Sequence, residues 1–96
     1  MSVTVIYDFQ AAPDKAGELL ELLRKGRDFG MTVEGCEAFD VYQGQDDPSK
    51  FVMVERWVSV EAHQAHFENN VKASGVLDAV VALMAAPLQG AYFIRR

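Results

Sequence analysis

The side chains of this 96-residue chain that offer more than packing are His63 and His66, Glu55, Trp57 and the single Cys36. His66 is the most informative. At helical spacing it shares a face with Ala62, Ala65 and Asn69, at i, i+3, i+4 and i+7. Two small residues, an imidazole and an amide leave space where an ordinary core stripe would carry Leu or Ile. That lining sets the imidazole at the edge of a space. The alternative is a partly buried histidine that only hydrogen-bonds. His63 points away from this face and is expected in solvent.

Glu55 and Trp57 belong to a stretch in which Phe51, Met53, Glu55 and Trp57 alternate with Val52, Val54, Arg56 and Val58. Alternation puts the two on one side of a strand. If that side faces the helices, both look at His66 across the core. A tryptophan there also serves as a large core anchor. A glutamate in an apolar strand needs a partner or a shifted pKa. An ion pair with a neighbouring strand, or across a dimer, is the structural alternative to a catalytic role.

Other chemistries find less support. His63 and His66 lack a third and fourth ligand of matching geometry, so no metal is expected. Cys36 has no basic neighbour in sequence to lower its pKa and reads as an inert core residue. The glycines are dispersed, and no loop could cradle a phosphate.

The elements that position these residues follow from periodicity and turn chemistry. Val3 to Phe9 is β-branched and aromatic and reads as a strand. Ala12, Ala16, Leu19, Leu20 and Leu23 make one apolar stripe, and Pro13 suits a first helical turn, so a helix is expected over Pro13 to Phe29. Cys36 to Gln43 and Phe51 to Val58 form a hairpin around Gly44, Asp46, Asp47, Pro48 and Ser49. Ser59 is the N-cap of a helix expected over Val60 to Asn70. Val76 to Met84 resumes helicity, Pro87 ends it, and Leu88 to Ile94 is the last strand. The order β-α-β-β-α(α)-β is the ferredoxin-like α+β pattern, a four-stranded antiparallel sheet with helices on one face. Both sides of Phe51–Val58 are mostly apolar, so the face without helices needs a cover. A second copy of the same sheet is the economical cover, and a homodimer is expected.

Composition bounds the rest. One domain spans 1–96, half of it hydrophobic, so disorder is not expected. The net charge of −5, with only Arg24, Lys25 and Arg27 close together, disfavours nucleic acid and anionic membranes. One cysteine forbids an internal disulfide. No signal peptide or apolar stretch near the roughly 20 residues of a membrane span is visible. A cytoplasmic protein is expected.

Glu34-Gly35-Cys36, Phe39-Asp40-Val41-Tyr42, Asp46-Asp47-Pro48, Phe51, Val54-Glu55-Arg56-Trp57, Glu61-Ala62 and His66, in this order and spacing, resemble the antibiotic biosynthesis monooxygenase (ABM) family. The resemblance is densest from Glu34 to His66 and covers nearly the whole chain. It implies a dimeric α+β barrel of ferredoxin-like protomers. It also implies, as in the quinol monooxygenases, oxygen chemistry without a cofactor on a small hydrophobic aromatic substrate, with dioxygen as the second. His66 and Trp57 are then the catalytic candidates. Tyr7, Asn69, Glu55, Ala62 and Ala65 are the substrate-binding candidates, Tyr7 only if odd-numbered residues of the first strand face the helices. The haem-degrading branch of the family fits poorly, because strand one lacks an Asn and Val71 to Pro87 lacks a histidine. Two other functions stay open on the same barrel: a non-enzymatic module binding a small hydrophobic ligand, and an isomerase or decarboxylase.

Overall fold

Along β1 (Val3–Gln10), Val3, Val5 and Phe9 are buried and Tyr7 is half-buried, while Asp8 between them is exposed. This alternation places the odd-numbered residues on the helix side. The computed structural model describes residues 1–96. After β1 come α1 (Ala16–Gly30), β2 (Cys36–Gln43), β3 (Lys50–Trp57), α2 (Val60–His66), a π-helical segment Phe67–Lys72, α3 (Val76–Val81) and β4 (Gln89–Phe93). The strands assemble as β2-β3-β1-β4, each neighbouring pair antiparallel. This is the expected ferredoxin-like α+β architecture.

The helix face of the sheet has two apolar centres. At one end Leu19 and Leu23 of α1 and Val80 of α3 close over Phe9, Phe39, Phe51 and Met53. At the other, Val3, Val5 and Trp57 pack together with Ala62 and Cys36 beside them. Glu55 falls between the two along β3. On the outer face, Ile6, Val52 and Val54 are half-buried, and Tyr42 and Phe93 are 57% and 50% exposed.

Helix boundaries differ from expectation for local reasons. The first helix starts at Ala16, not Pro13, because Asp14 adopts φ 66 and Lys15 N–H closes a turn on the Ala12 carbonyl. Aspartate tolerates that left-handed conformation better than most residues. Ala12 is thereby outside the helix, and its N–H bonds the Leu83 carbonyl at 2.8 Å. Ser59 caps α2 as expected, its hydroxyl accepting from Ala62 N–H at 3.0 Å. The α-helical part ends at His66, however, and the chain continues in wider π-helical turns rather than as α-helix to Asn70. The last helix ends at Val81, before Met84, which instead bridges to Ala11 beyond the end of β1. No helix is long and apolar enough to cross a membrane.

Candidate active site

The site lies where α2 and the π-helical segment cross the helix face of β1, β3 and β4. Residues three or four apart on a helix share a face. The face turned inward here carries His63, His66, Phe67 and Asn70. Both histidines are buried, at 5% and 4% exposure. The expected solvation of His63 is therefore incorrect, and the reason is helical phase. The spacing i, i+3, i+4, i+7 fits residues 63, 66, 67 and 70 as well as 62, 65, 66 and 69, and the register containing Phe67 buries more apolar surface.

Each histidine has its own surroundings. The His63 Nε2 lies 3.0 Å from the Tyr7 hydroxyl, and its Nδ1 lies 2.8 Å from the Tyr92 hydroxyl. Both ring nitrogens are thus engaged. Glu55 Oε1 is 4.0 Å from His63 Nε2 and accepts the Trp57 indole N–H at 2.9 Å. Tyr7 can reach this network because Gly90 stands opposite it on β4: a Cβ there would come 2.5 Å from the Tyr7 ring. His66 stacks on Trp57, with ring centroids 4.9 Å apart and planes at 28°, and Phe29 of α1 lies 6.3 Å away on a similar plane. The Asn70 amide nitrogen is 3.0 Å from His66 Nδ1. An amide N–H donates, so Nδ1 accepts and the ring proton resides on Nε2. That Nε2 has no partner within the chain. Since no fully buried side-chain nitrogen or oxygen lacks one, Nε2 keeps contact with open space.

The open space is a cavity of about 500 Å³ lined by His66, His63, Tyr7, Glu55, Asn69 and Asn70 at its polar end. Phe9, Phe29, Phe39, Met53, Leu77 and Val80 are among its apolar walls. A second, outer pocket lies against Tyr7, His63, Phe67 and Tyr92, with Gln64 and Glu68. His63 therefore stands between the two.

Burial sets the protonation states. It pushes His63 down to about 4, with the charge of a protonated His66 adding in the same direction, and it lowers His66 as well. It raises the Glu55 carboxyl to about 7, against the opposing effect of the Trp57 N–H. The Tyr7 hydroxyl is raised strongly by burial, and further by the charges of Glu55 and Tyr92. The cluster is thus built to keep its imidazoles neutral, and Glu55 changes charge near neutral pH. Cys36, half-buried and donating to the Ala38 carbonyl at 3.6 Å, has its thiol raised by burial and by Glu55, which suits the inert role expected for it.

The structure therefore gathers His66, Tyr7, Glu55 and Asn69 around one cavity. Trp57 does not line it: the indole is fully buried behind His66. Ala62 and Ala65 do not line it either. Ala62 packs beside Trp57 and close to Gly35, and Ala65 is exposed. The shift in helical phase explains both. His63, Asn70 and Tyr92 were not anticipated. His63 and Asn70 carry a signal, the alternative helical register. Tyr92 carries none, because only the pairing of β4 with β1, which sets Tyr92 opposite Val5, brings it in. No three His, Cys, Asp or Glu side chains gather as metal ligands.

Comparison with known proteins places this geometry in context. No curated protein matches the chain at a significant level. Among solved structures, a Mycobacterium tuberculosis protein superposes with TM-score 0.89 at 24% identity, over 100% of this chain and 96% of its own. A Methanosarcina mazei protein does so with TM-score 0.90 at 18% identity, over 100% and 94%. A Nitrosomonas europaea protein classed with the antibiotic biosynthesis monooxygenases has TM-score 0.88 at 26% identity, over 96% and 88%. The antibiotic biosynthesis monooxygenase family matches residues 2–73, three quarters of the sequence and every hydrogen-bonding site residue named above except Tyr92, and the chain belongs to that family.

Proposed function

We propose that this chain is a cofactor-independent monooxygenase acting on a hydroquinone-like or polycyclic phenolic small molecule, with dioxygen as the second substrate. The observation that carries this reading is the cavity itself: about 500 Å³, apolar over most of its wall, with an unpartnered His66 Nε2 at its polar end. That volume lies in the ordinary range for small-molecule sites.

The chemistry asks little of the protein beyond charge and orientation. Loss of the phenolic proton gives a delocalised anion that can pass one electron to dioxygen. The two radicals couple, forming a C–O bond, and the resulting hydroperoxide loses water. The ring carbon that takes up the oxygen becomes a carbonyl. One oxygen atom stays in the product and the other leaves as water with that carbon's single hydrogen and the proton from the hydroxyl, so no external reductant is needed. In this reading His66 donates its Nε2–H to the phenolate oxygen, and a donor aimed at developing charge in a dry site is worth far more than in water. Trp57 holds the imidazole plane by stacking, Asn70 holds its tautomer, and Asn69 can hold a carbonyl oxygen at the rim. Tyr7 and Glu55 face the reacting hydroxyl.

The reading includes a homodimer through the outer sheet face, supported by Ile6, Val52, Val54, Tyr42 and Phe93, a surface a helix-free sheet of this length leaves uncovered. Light scattering at micromolar concentration is expected to give twice the 10.7 kDa chain mass; a monomer throughout that range counts against it. The function is tested with an oxygen electrode and a panel of hydroquinones and polycyclic phenols. The expected result is uptake of one O₂ per substrate oxidised. Tight binding of the same phenols with no oxygen uptake would instead make the chain a ligand-binding module.

A further inference from the structure

We infer that Tyr7, His63 and Tyr92 form a proton wire that joins the cavity to the outer pocket and carries away the proton a phenolic ligand loses inside. The inference rests on the reading of the cavity as a place where a phenol ionises. His66, with its proton held on Nε2, offers the cavity a donor and no basic lone pair, so the proton leaves through other groups.

The geometry is continuous. Tyr7 lines the cavity, its hydroxyl is 3.0 Å from His63 Nε2, and His63 Nδ1 is 2.8 Å from the Tyr92 hydroxyl. Both contacts are of ordinary hydrogen-bond length. Tyr92 sits on the edge strand, is 41% exposed and lines the outer pocket. Tyr7 and His63 are common to both spaces, so the chain of hydrogen bonds crosses the wall between them.

A neutral imidazole is both donor and acceptor, which is what a relay requires. The ligand hydroxyl gives its proton to the Tyr7 oxygen as Tyr7 gives its own to His63 Nε2. The Nδ1 proton passes to Tyr92, and Tyr92 releases one to water. One proton leaves, and no tyrosine has to become a free anion, which the burial of Tyr7 would oppose. The groups facing His63 are Tyr7 from β1, Glu55 and Trp57 from β3, Tyr92 from β4, and His66 on its own helix. Glu55, 4.0 Å from Nε2, is placed to stabilise a transient imidazolium.

Two experiments on the full chain test this. In the ligand-free protein, the rate at which the His63 ring N–H exchanges with water is measured by NMR for wild type and Tyr92→Phe. If Tyr92 conducts the proton, its loss slows exchange, by up to the roughly 10²-fold that a positioned proton-transfer group is typically worth at the low end. If Tyr92 merely covers the ring, its loss admits water and exchange is unchanged or faster, which overturns the wire. The second uses 2-naphthol, a phenol that becomes strongly acidic when excited. Bound to wild type it is expected to emit largely as naphtholate, and bound to Tyr92→Phe largely as naphthol, at similar affinity. Equal emission from both proteins overturns the wire. Failure of 2-naphthol to bind counts instead against the phenol reading of the cavity, and the exchange measurement still decides the wire.

Discussion

His63 and His66 stand three residues apart on the same buried face, yet their surroundings differ in one decisive respect. Around His63 every polar position is filled: Tyr7 on Nε2, Tyr92 on Nδ1 and Glu55 alongside. Around His66 one nitrogen is tied to Asn70, the ring is stacked on Trp57 with Phe29 nearby on a similar plane, and the other nitrogen is left to the cavity. The first arrangement fixes β1, β3, β4 and α2 together and can pass a proton through itself. The second spends its neighbours on orienting one free N–H. Identical side chains on one helix thus acquire different work from what the sheet places opposite them.

The largest effect that can break this comparison is on turnover. If His66 is the donor to the anion, His66→Ala is expected to lower kcat by roughly 10²–10³-fold, the usual worth of one such donor. The fold is expected to survive, because the lost ring is stacked rather than bonded into the strands. Oxygen uptake with a confirmed substrate measures it, and a His66→Ala protein of full activity removes His66 from the chemistry. Substitution at His63 is expected to act first on stability. His63→Ala strips partners from Tyr7, Tyr92 and Glu55 and opens a void, at a cost of about 2–3 kcal/mol. For a domain of this size that is a fall in Tm of roughly 10 °C or more, read by thermal denaturation. A Tm within about 2 °C of wild type would mean that the network contributes little.

A subtler distinction concerns acid. In the unfolded chain His63 titrates near 6.5 and Glu55 near 4.5; in the fold they lie at about 4 and about 7. Between pH 4.5 and 6.5 the unfolded pair holds its proton on His63, and the folded pair holds one on Glu55. The count is equal, so the pair adds no slope to stability in that window. Glu55→Gln breaks the balance. Only the depressed histidine then remains, the unfolded state binds the extra proton, and stability is expected to fall as pH drops below 6.5, by up to about 1.4 kcal/mol per pH unit more than in wild type. His66, also lowered by burial, adds an acid-side loss in both proteins, so the difference between them is what matters. Urea unfolding across pH 4.5–6.5 measures it; parallel curves would show that the two groups do not exchange a proton on folding.

Much of this arrangement is legible in the residue order. The alternation around Phe51–Trp57 puts Glu55 and Trp57 on one side of a strand, and Ser59 marks the beginning of α2 within one residue; that this side, and the odd-numbered side of β1 with Tyr7, faces the helices comes from the structure. What sequence leaves open is rotational phase. A helix stripe of four positions fits Ala62, Ala65, His66 and Asn69 or His63, His66, Phe67 and Asn70, and His66 belongs to both. Small side chains suggested a lining, but the face that goes inward is the one with more apolar surface, and Phe67 decides it. A cavity is then made by the shape of the opposing wall rather than by small residues on the helix. The helix boundaries were missed for similarly local reasons. Asp14 takes up a left-handed turn, and the chain widens after His66 into a π-helical segment, a feature that recurs at functional sites and has no reliable sequence mark.

The two neighbouring asparagines give the finest test of that phase. Asn70 is half-buried and touches His66 Nδ1; Asn69 is exposed at the cavity rim. Without the Asn70 amide, nothing in the chain holds the imidazole proton on Nε2, and the ring divides between two tautomers of which one presents no donor to the ligand. A single hydrogen bond worth about 1 kcal/mol shifts the tautomer ratio by roughly fivefold, and a mixed ring keeps about half of its donors, so Asn70→Ala is expected to lower kcat by about twofold, with the His66 ring nitrogens shifting in NMR toward a tautomer mixture. Asn69→Ala removes a rim amide with no partner in the chain, and is expected to leave both the tautomer and stability unchanged, within about 0.5 kcal/mol, while raising KM modestly if Asn69 holds a substrate carbonyl. If the roles were reversed, with Asn69→Ala shifting the tautomer and Asn70→Ala silent, the inward face of the helix would be the one containing Ala62 and Ala65, and the separation of His63 from His66 drawn above would fail with it.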